Sequence, residues 1–332
     1  MAAMLAPGYS CFLSVFLSLN MAASLQDAPD KPKDKPAPPI RAAVTQIKPE
    51  ATLDLGGTRG FGSGDGNVWV SLKEAGTLVR IDPKTNKATQ TITVGKPPCG
   101  NVTSGLGAIW APLCDGAGIA RIDPKTNTVK ATLTKGLVSP RAPMVTGVES
   151  LWVIADDNGT IARIDPSTNA VVAEIYAGAG ASAMAAGQEN LWVSNSKTNQ
   201  LVKISEHTNL LGESITVGKS PVGVAFGEGA AWTLNAGDAT VSRVDPKTNK
   251  VSETVKLGVP ITGGQIVVGE GSVWVSAPGA PLIRIDPRTN QVAQIFTGLG
   301  GGQVFIAESA IWILADAKTI WRLDPKRVEA TR

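Results

Sequence analysis

The chain has 332 residues, of which 43% are hydrophobic and 18% are charged, with 31 basic and 28 acidic side chains. The small net charge of +3, together with the even spread of basic and aromatic residues, excludes a nucleic-acid-binding stripe. The 36 glycines and 22 prolines, with no apolar residues at helical spacing, exclude helical repeats, and no internal run is long enough for a membrane span.

Residues 1–24 resemble a secretory signal peptide. Residues 11–19 are apolar, and Met21-Ala22-Ala23-Ser24 supplies the small residues of a cleavage zone, although no Lys or Arg precedes the apolar core. Lipid modification of Cys11 is the alternative, which its early position and the preceding Gly8-Tyr9-Ser10 disfavour. We therefore expect an exported protein, periplasmic or secreted, that loses this segment.

Residues 25–45 are predicted to be a linker. The stretch 26–40 is rich in Asp, Lys and Pro and has too few apolar side chains to bury a core. We expect an extended, solvated spacer, followed by one folded domain over residues 46–332.

The folded domain is built from repeats. Seven tryptophans recur at intervals of 38–42 residues: Trp69, Trp110, Trp152, Trp192, Trp232, Trp274 and Trp312. About ten residues after each comes a related phrase, which in five copies has the form Arg-hydrophobic-Asp-Pro-x-Thr-Asn, as in Arg80-Ile81-Asp82-Pro83-Lys84-Thr85-Asn86. A fixed period near 40 residues indicates a repeat architecture.

Each repeat reads as four short strands separated by turns. In the unit 221–258, strand-like segments alternate apolar and polar side chains, and Asp245-Pro246-Lys247-Thr248-Asn249 has the composition of a tight turn. With strands named A to D from the centre outwards, the Trp lies on strand B and the turn joins C to D. Seven such units predict an all-β fold, a seven-bladed β-propeller of four-stranded antiparallel blades.

The seven tryptophans have two possible roles. They could form a stacking ring for a ligand, or each could fill the same gap between neighbouring sheets. Their identical spacing favours the second role. Trp321 lies outside this pattern.

Cys99 and Cys114 are predicted to form a disulfide. They flank strands A and B of the second unit, and the midpoint between them falls in the Gly105-Leu106-Gly107 turn. On an antiparallel pair this register places the two cysteines opposite one another, as a disulfide requires. Two buried free thiols are the alternative.

The last blade requires an outer strand from elsewhere in the chain, because few residues follow strand C of the last unit. Residues 50–55 resemble the D strands of other units, and we expect them to pair with residues 319–323. Residues 328–332 are the alternative source of that strand.

The repeat resembles known bacterial propellers. Gly-x-Gly-x-x-Trp-Val, the Arg-Ile-Asp-Pro-x-Thr-Asn phrase and endings such as Gln90-Thr-Ile-Thr-Val-Gly95 are similar to the YVTN/YncE-type repeats, which are related in fold to the virginiamycin B lyase (streptogramin lyase) family. The resemblance covers about residues 50–325. Because the shared residues are those that build the repeat, it bears on fold more than on function.

The resemblance implies a ligand site on the upper face, where the B–C and D–A loops surround the central channel. The loop residues carried over as tentative ligand-binding candidates are Arg59, Lys73, Asp115, Arg141, Asp156, Asn195, Lys197, Asn235 and Asp316. Each one alone could be a solvated loop residue. As a set at a channel mouth they form the candidate site.

No catalytic group is predicted. The resembling lyases use a His base with Mg²⁺ nearby, whereas the single histidine here, His207, lies in the fourth copy of the C–D turn, on the opposite face. We therefore expect no catalytic residue, no bound metal and no cofactor.

The sequence favours an exported, monomeric propeller that binds a protein, peptide or small ligand at the upper face without catalysis. The alternative is a lyase-like or lactonase-like enzyme that uses upper-face carboxylates, with Asp156, Asp157 and Asp316 holding a divalent cation.

Overall fold

Every repeat forms a four-stranded antiparallel sheet, and the seven sheets are the blades of a β-propeller, which confirms the predicted fold. The structure is a computed structural model that describes residues 37–57, 60–113, 118–137 and 143–331. No helix in these ranges is long and apolar enough to cross a lipid bilayer.

The strands follow one another in the order A to D within each blade. Ahead of the blades lie β1 (Ile40–Ala43), a 3-10 helix (Val44–Gln46) and β2 (Ala51–Asp54). Blades 1 to 3 consist of β3 (Gly60–Gly64), β4 (Asn67–Leu72), β5 (Thr77–Asp82) and β6 (Lys87–Thr93); β7 (Thr103–Gly105), β8 (Ala108–Leu113), β9 (Gly118–Asp123) and β10 (Thr128–Leu133); and β11 (Met144–Thr146), β12 (Leu151–Ile154), β13 (Thr160–Asp165) and β14 (Ala170–Tyr176).

The remaining blades repeat this plan. Blades 4 and 5 consist of β15 (Ala181–Gly187), β16 (Asn190–Asn195), β17 (Gln200–Ser205) and β18 (Leu211–Thr216); and β19 (Pro221–Gly227), β20 (Ala230–Asn235), β21 (Thr240–Asp245) and β22 (Lys250–Lys256). Blades 6 and 7 consist of β23 (Gln265–Gly269), β24 (Ser272–Ala277), β25 (Ala280–Asp286) and β26 (Gln291–Thr297); and β27 (Val304–Ala307), β28 (Ala310–Leu314), β29 (Thr319–Leu323) and, as the outer strand, β2. A short helix, α1 (Pro325–Ala330), follows.

The tryptophans of strand B fill the space between neighbouring blades. All seven are 0% exposed, among the largest fully buried side chains of the described residues, whereas Trp321 is only partly buried. The interpretation of the tryptophans as packing residues is confirmed.

The C–D turn has the geometry that its sequence predicts. In blade 1, Asp82 Oδ1 accepts the backbone N–H of Lys84 at 2.8 Å, and Asn86 adopts a left-handed φ of 56°. Asn tolerates this conformation better than most residues because its short side chain can bond locally. The same Asp-to-N–H bond recurs at Asp123, Asp245 and Asp286.

In four blades, the basic residue at the start of the repeated phrase joins the blade to the next one. Arg80 Nη1 donates to Pro124 O at 2.7 Å and to Asn127 Oδ1 at 3.1 Å, and its guanidinium lies 5.6 Å from the ring centre of Trp69. We call this contact the interblade latch. Equivalent latches start from Arg121, Lys203 and Arg243. The phrase that revealed the repeat therefore holds the ring together.

The ring is closed by the N-terminal strand β2, as predicted. Leu53 pairs with Ile320 and Asp54 with Thr319 in an antiparallel ladder to β29. The alternative segment, residues 328–332, starts inside helix α1 (Pro325–Ala330), whose first turn is capped by Asp324.

The segment predicted as a linker contributes a further strand. Ile40–Ala43 pairs in parallel with β26, which gives blade 6 five strands, and Val44 and Ile47 are 5% and 1% exposed. A Cβ added to Gly298 would lie 2.9 Å from Val44 Cγ1. Gly298 follows β26, so the side chain of Val44 fills the space that this glycine leaves.

The turn aspartates predict acid destabilisation. Backbone N–H donors hold the pKa values of Asp82, Asp123 and Asp245 below the ordinary 3.8. A folded-state pKa below the unfolded value contributes stability above the unfolded pKa, and this contribution is lost as pH falls through the folded one. We expect the thermal midpoint to fall as pH drops below about 4. The thermal midpoint of the Asp245→Asn variant should fall less steeply with pH. A thermal midpoint of the parent protein that stays constant from pH 5 to 2 would contradict the interpretation.

Candidate functional site

A central cavity of about 650 Å³ is enclosed by the inner strands of all seven blades. It is lined by parts of β3, β7, β11, β15, β19, β23 and β27 and by the residues just before them. This volume lies within the range of small-molecule binding pockets, about 300–1,000 Å³.

The side chains that line this cavity within the described ranges are uncharged. Most of them are apolar, among them the partly buried Met144, Met184, Phe226 and Ile306, although about half of the exposed lining surface is polar. The polar members are hydroxyls and amides such as Thr103, and the described lining contains no Asp, Glu, Lys, Arg, His or Cys. Such a surface binds by dispersion, by burial of apolar area and by neutral hydrogen bonds.

Several of the polar lining groups connect neighbouring blades. Thr103 Oγ1 donates to Met144 O at 3.0 Å, and Ser182 Oγ donates to Pro221 O at 2.8 Å. Gln265 Oε1 accepts the backbone N–H of Val304 at 3.1 Å. These bonds fix the spacing of the inner strands and therefore the width of the channel.

The upper-face candidates from the sequence lie on the B–C turns of different blades. Lys73 follows β4, Asp156 follows β12, Asn195 ends β16, and Asn235 ends β20. Lys197 and Asp316 lie in the turns after β16 and β28, and Arg59, Asp115 and Arg141 lie outside the described residues.

Four of these candidates form hydrogen bonds that close turns: the two aspartates Asp156 and Asp316, and the two asparagines Asn195 and Asn235. Asp156 accepts from Thr160 N at 3.0 Å and from Thr160 Oγ1 at 2.9 Å. Asp316 Oδ1 accepts from Lys318 N and Thr319 N, both at 2.8 Å. The leading cause of the lowered pKa is the backbone N–H of Thr160 for Asp156 and that of Lys318 for Asp316.

The two asparagine candidates, Asn195 and Asn235, are buried, and their side-chain amides are hydrogen-bonded within the protein. Asn195 is 3% exposed, and its Nδ2 donates to Gly178 O at 3.2 Å. Asn235 is 0% exposed, and its Nδ2 donates to Thr240 Oγ1 at 3.0 Å and to Ser242 Oγ at 2.9 Å. Because these amides satisfy buried neighbours, their primary contribution is to the B–C turns.

We expect Asp156→Ala to lower the free energy of unfolding by about 1 kcal/mol, because it removes two hydrogen bonds that close a turn. Lys197→Ala, at an exposed side chain on the neighbouring blade, should change it by less than about 0.5 kcal/mol. Urea denaturation of both variants measures this difference. Equal effects of the two substitutions would show that the turn bonds of Asp156 do not contribute to stability.

The opposite, lower face carries a set of acidic residues that the sequence analysis missed. An exposed acidic residue occupies the A–B turn of six blades: Asp65, Glu149, Glu189, Glu228, Glu270 and Glu308. Each lies three or four positions before a strand-B tryptophan, a spacing that could have revealed the set. No group of three or more His, Cys, Asp or Glu side chains in the described ranges is placed to hold a metal ion.

His207 lies on this lower face, as predicted. Its side chain is 56% exposed, and Nε2 lies 3.3 Å from Glu189 Oε2. The upper mouth of the channel is on the opposite face.

The cysteine pair is only half described, because Cys114 lies outside the described residues. The predicted turn is present, with Gly105 opposite Ala108 and Thr103 opposite Trp110. Further along, however, Pro98 lies opposite Leu113, a shift of two residues, and Cys99 N donates to Pro112 O at 3.0 Å. The register that motivated the disulfide therefore does not persist to Cys99, and the bond stays a prediction.

That prediction has a direct test. Without reductant, maleimide labelling should leave Cys99 and Cys114 unmodified, and reduction should expose both and cost about 3 kcal/mol of stability, as expected for a closed loop of about 15 residues. In the Cys99→Ser variant, Cys114 should become reactive. Labelling of both cysteines in the native, unreduced protein would contradict the disulfide.

Comparisons with known proteins agree with the fold. A family model described as "Domain of unknown function (DUF5074)" matches residues 65–240, more than half of the chain. Among curated proteins no sequence matches.

Solved structures of similar fold include two lyases and a protein named BamB. A catalytically inactive virginiamycin B lyase from Staphylococcus aureus with quinupristin has a TM-score of 0.71 and 19% identity, over 82% of this chain and 98% of that chain. A streptogramin B lyase has a TM-score of 0.68 and 19% identity, over 82% of this chain and 94% of that chain. BamB from Moraxella catarrhalis has a TM-score of 0.63 and 10% identity, over 84% and 98%. At these identities the likeness concerns the fold alone.

Proposed function

The chain belongs to the family described as domain of unknown function (DUF5074), and from that premise we propose that it is an exported propeller that binds an uncharged ligand at the upper mouth of its central channel, without catalysis. The ligand is a small molecule or an uncharged segment of a peptide or protein.

The observation that carries this proposal is that the described residues lining the 650 Å³ cavity are uncharged. A charged ligand that entered the channel would lose its hydration without gaining an opposite charge, which is costly in a confined site. An uncharged ligand instead gains contacts with Met144, Met184 and Phe226. Ligand pockets commonly combine apolar side chains with uncharged polar groups that fix the orientation of the ligand.

The chemistry of the site supports binding over catalysis. General acid–base catalysis requires a side chain that titrates near the working pH, and thioether, aromatic, aliphatic and hydroxyl groups do not titrate there. On the upper face, the carboxylates of Asp156 and Asp316 already accept hydrogen bonds within their own turns. This use of the carboxylates disfavours the alternative of metal-assisted catalysis by these residues.

Export is part of the same proposal. The signal-like segment 1–24 lies outside the described residues, and the argument for it is its sequence. The Pro-rich, charged stretch that follows would separate the propeller from the cleavage site.

The proposal is tested with a library of neutral and charged small molecules, screened by ligand-observed NMR. Neutral compounds should dominate the hits. The Met184→Glu variant, which places a carboxylate in the channel, should weaken these hits at least tenfold, whereas Met184→Leu should retain them. Hits that are mainly charged and unaffected by Met184→Glu would contradict the proposal, as would Mg²⁺-dependent opening of a streptogramin-type lactone by the purified protein.

A further inference from the structure

One of the seven strand-B tryptophans, Trp152, lacks a side-chain hydrogen bond that the other six make. In the other six blades, indole Nε1 donates to the carbonyl oxygen five residues earlier at 3.0–3.3 Å, as Trp232 does to Gly227 O at 3.1 Å. Trp152 is 0% exposed, and its Nε1 has no hydrogen-bond partner among the described residues. An unpaired buried N–H costs about 1–3 kcal/mol, so this exception needs a physical reason.

The reason lies in the neighbouring blade, where the repeated phrase changes. The fourth C–D turn reads Ser205-Glu206-His207-Thr208-Asn209, with Glu206 at the position of the usual Pro. The Glu206 side chain points into the seam between blades 3 and 4, where the residue is 5% exposed and Oε2 accepts the backbone N–H of Val148 at 2.7 Å.

The carboxylate of Glu206 lies beside the expected acceptor of Trp152. That acceptor is the carbonyl of Gly147, five residues before the tryptophan. A Cβ built on Gly147 would lie 1.8 Å from Glu206 Oε2 and 2.9 Å from Trp152 Nε1. The indole nitrogen and the carboxylate thus approach the same small volume from two blades.

A small cavity lies at this point. Its volume is about 10 Å³, and its walls include Ser150, Trp152, Arg163 and Glu206. Such a volume is near the lower limit for a single water molecule, which also needs two or more polar partners. The seam offers both the space and the partners.

We propose that one water molecule is bound at the blade 3–4 seam, accepting a hydrogen bond from Trp152 Nε1 and donating one to the Glu206 carboxylate. The chemistry of the walls selects a neutral molecule that can both accept and donate. A cation would face the indole N–H and the guanidinium of Arg163, whose Nε donates to Ser150 Oγ at 2.8 Å. An anion would face the carboxylate of Glu206.

This site is distinct from the central channel. It lies on the lower face, where Arg163 keeps two contacts of the latch: its Nη1 donates to Asn209 Oδ1 at 3.1 Å, and its guanidinium lies 5.4 Å from the ring centre of Trp152. The water replaces the direct indole-to-carbonyl bond that the other blades make. Glu206 is therefore the residue that binds the water, and the indole N–H of Trp152 is the group whose spectroscopic signal detects it.

The test compares the parent protein with Glu206→Pro, which restores the usual residue of the turn, and with Glu206→Gln, which retains an acceptor of the same size. A crystal structure at a resolution that shows ordered water should contain the molecule between Trp152 Nε1 and Glu206 in the parent. The Glu206→Gln variant should keep it. Glu206→Pro should lose it and form the direct bond from Trp152 Nε1 to Gly147 O.

The indole N–H signal of Trp152 in a ¹H–¹⁵N spectrum gives an independent reading. It should shift in Glu206→Pro but change little in the matched control Glu228→Gln, at the equivalent exposed A–B turn acid of blade 5. If Glu206→Pro does not fold, the parent and Glu206→Gln structures still decide the matter. A dry cavity in the parent, an ion in place of the water, or a water that persists in Glu206→Pro would overturn the proposal.

Discussion

A chain that begins at residue 57 is expected to lose several kcal/mol of stability and to unfold without a single cooperative transition, whereas a chain that begins at residue 37 should behave like the full-length protein. The shorter chain lacks β2, the outer strand of blade 7, and also the buried side chains of Val44, Ile47 and Leu53. Each such side chain contributes about 1.5–3 kcal/mol when buried. Because folded domains are stable by only about 5–15 kcal/mol, this loss is large enough to unfold the propeller.

Guanidinium denaturation followed by circular dichroism compares the two truncated chains. The matched pair separates the effect of the N-terminal strands from that of the linker, since both chains lack residues 1–36. Equal midpoints would show that the ring does not depend on β1 and β2 for closure.

Trp232→Ala is expected to lower the free energy of unfolding by about 3–5 kcal/mol, because it removes a fully buried aromatic side chain and leaves a cavity between blades. It also removes the ring over which Arg243 lies at 5.2 Å and the indole bond to Gly227 O. Trp321→Ala, at a partly buried tryptophan outside the repeat, should cost less than half as much. Similar losses for the two variants would contradict the special role of the strand-B position.

The sequence was sufficient to predict the fold because the same local signals recur along the chain, the tryptophan seven times and the turn five times. A tryptophan at a fixed spacing and an Asp-Pro-x-Thr-Asn turn define one blade, and repetition removes the ambiguity of a single copy. The closing strand could also be predicted, since residues 50–55 carry the pattern of an outer strand without an inner one. Strand β1 could not, because its four residues follow a Pro-rich spacer, and the space that Val44 fills is created by Gly298, more than 250 positions away.

The site was harder to predict from sequence. Asp and Asn in loops are the residue types that bind ligands and also the types that close turns. Asp156, Asn195, Asn235 and Asp316 proved to close turns, which only their hydrogen bonds reveal. The channel lining comes from apolar and small residues of the inner strands, which in the sequence look like any buried strand.

The most direct test of the proposed function is the crystal structure of the protein with the tightest neutral compound from the screen. We predict that the compound lies in the central channel, entered from the upper mouth, with atoms within about 4 Å of Met184 and Phe226, the distance of apolar contact. A compound bound at the outer edge of a blade or among the acidic turns of the lower face, with the channel unoccupied, would contradict the account.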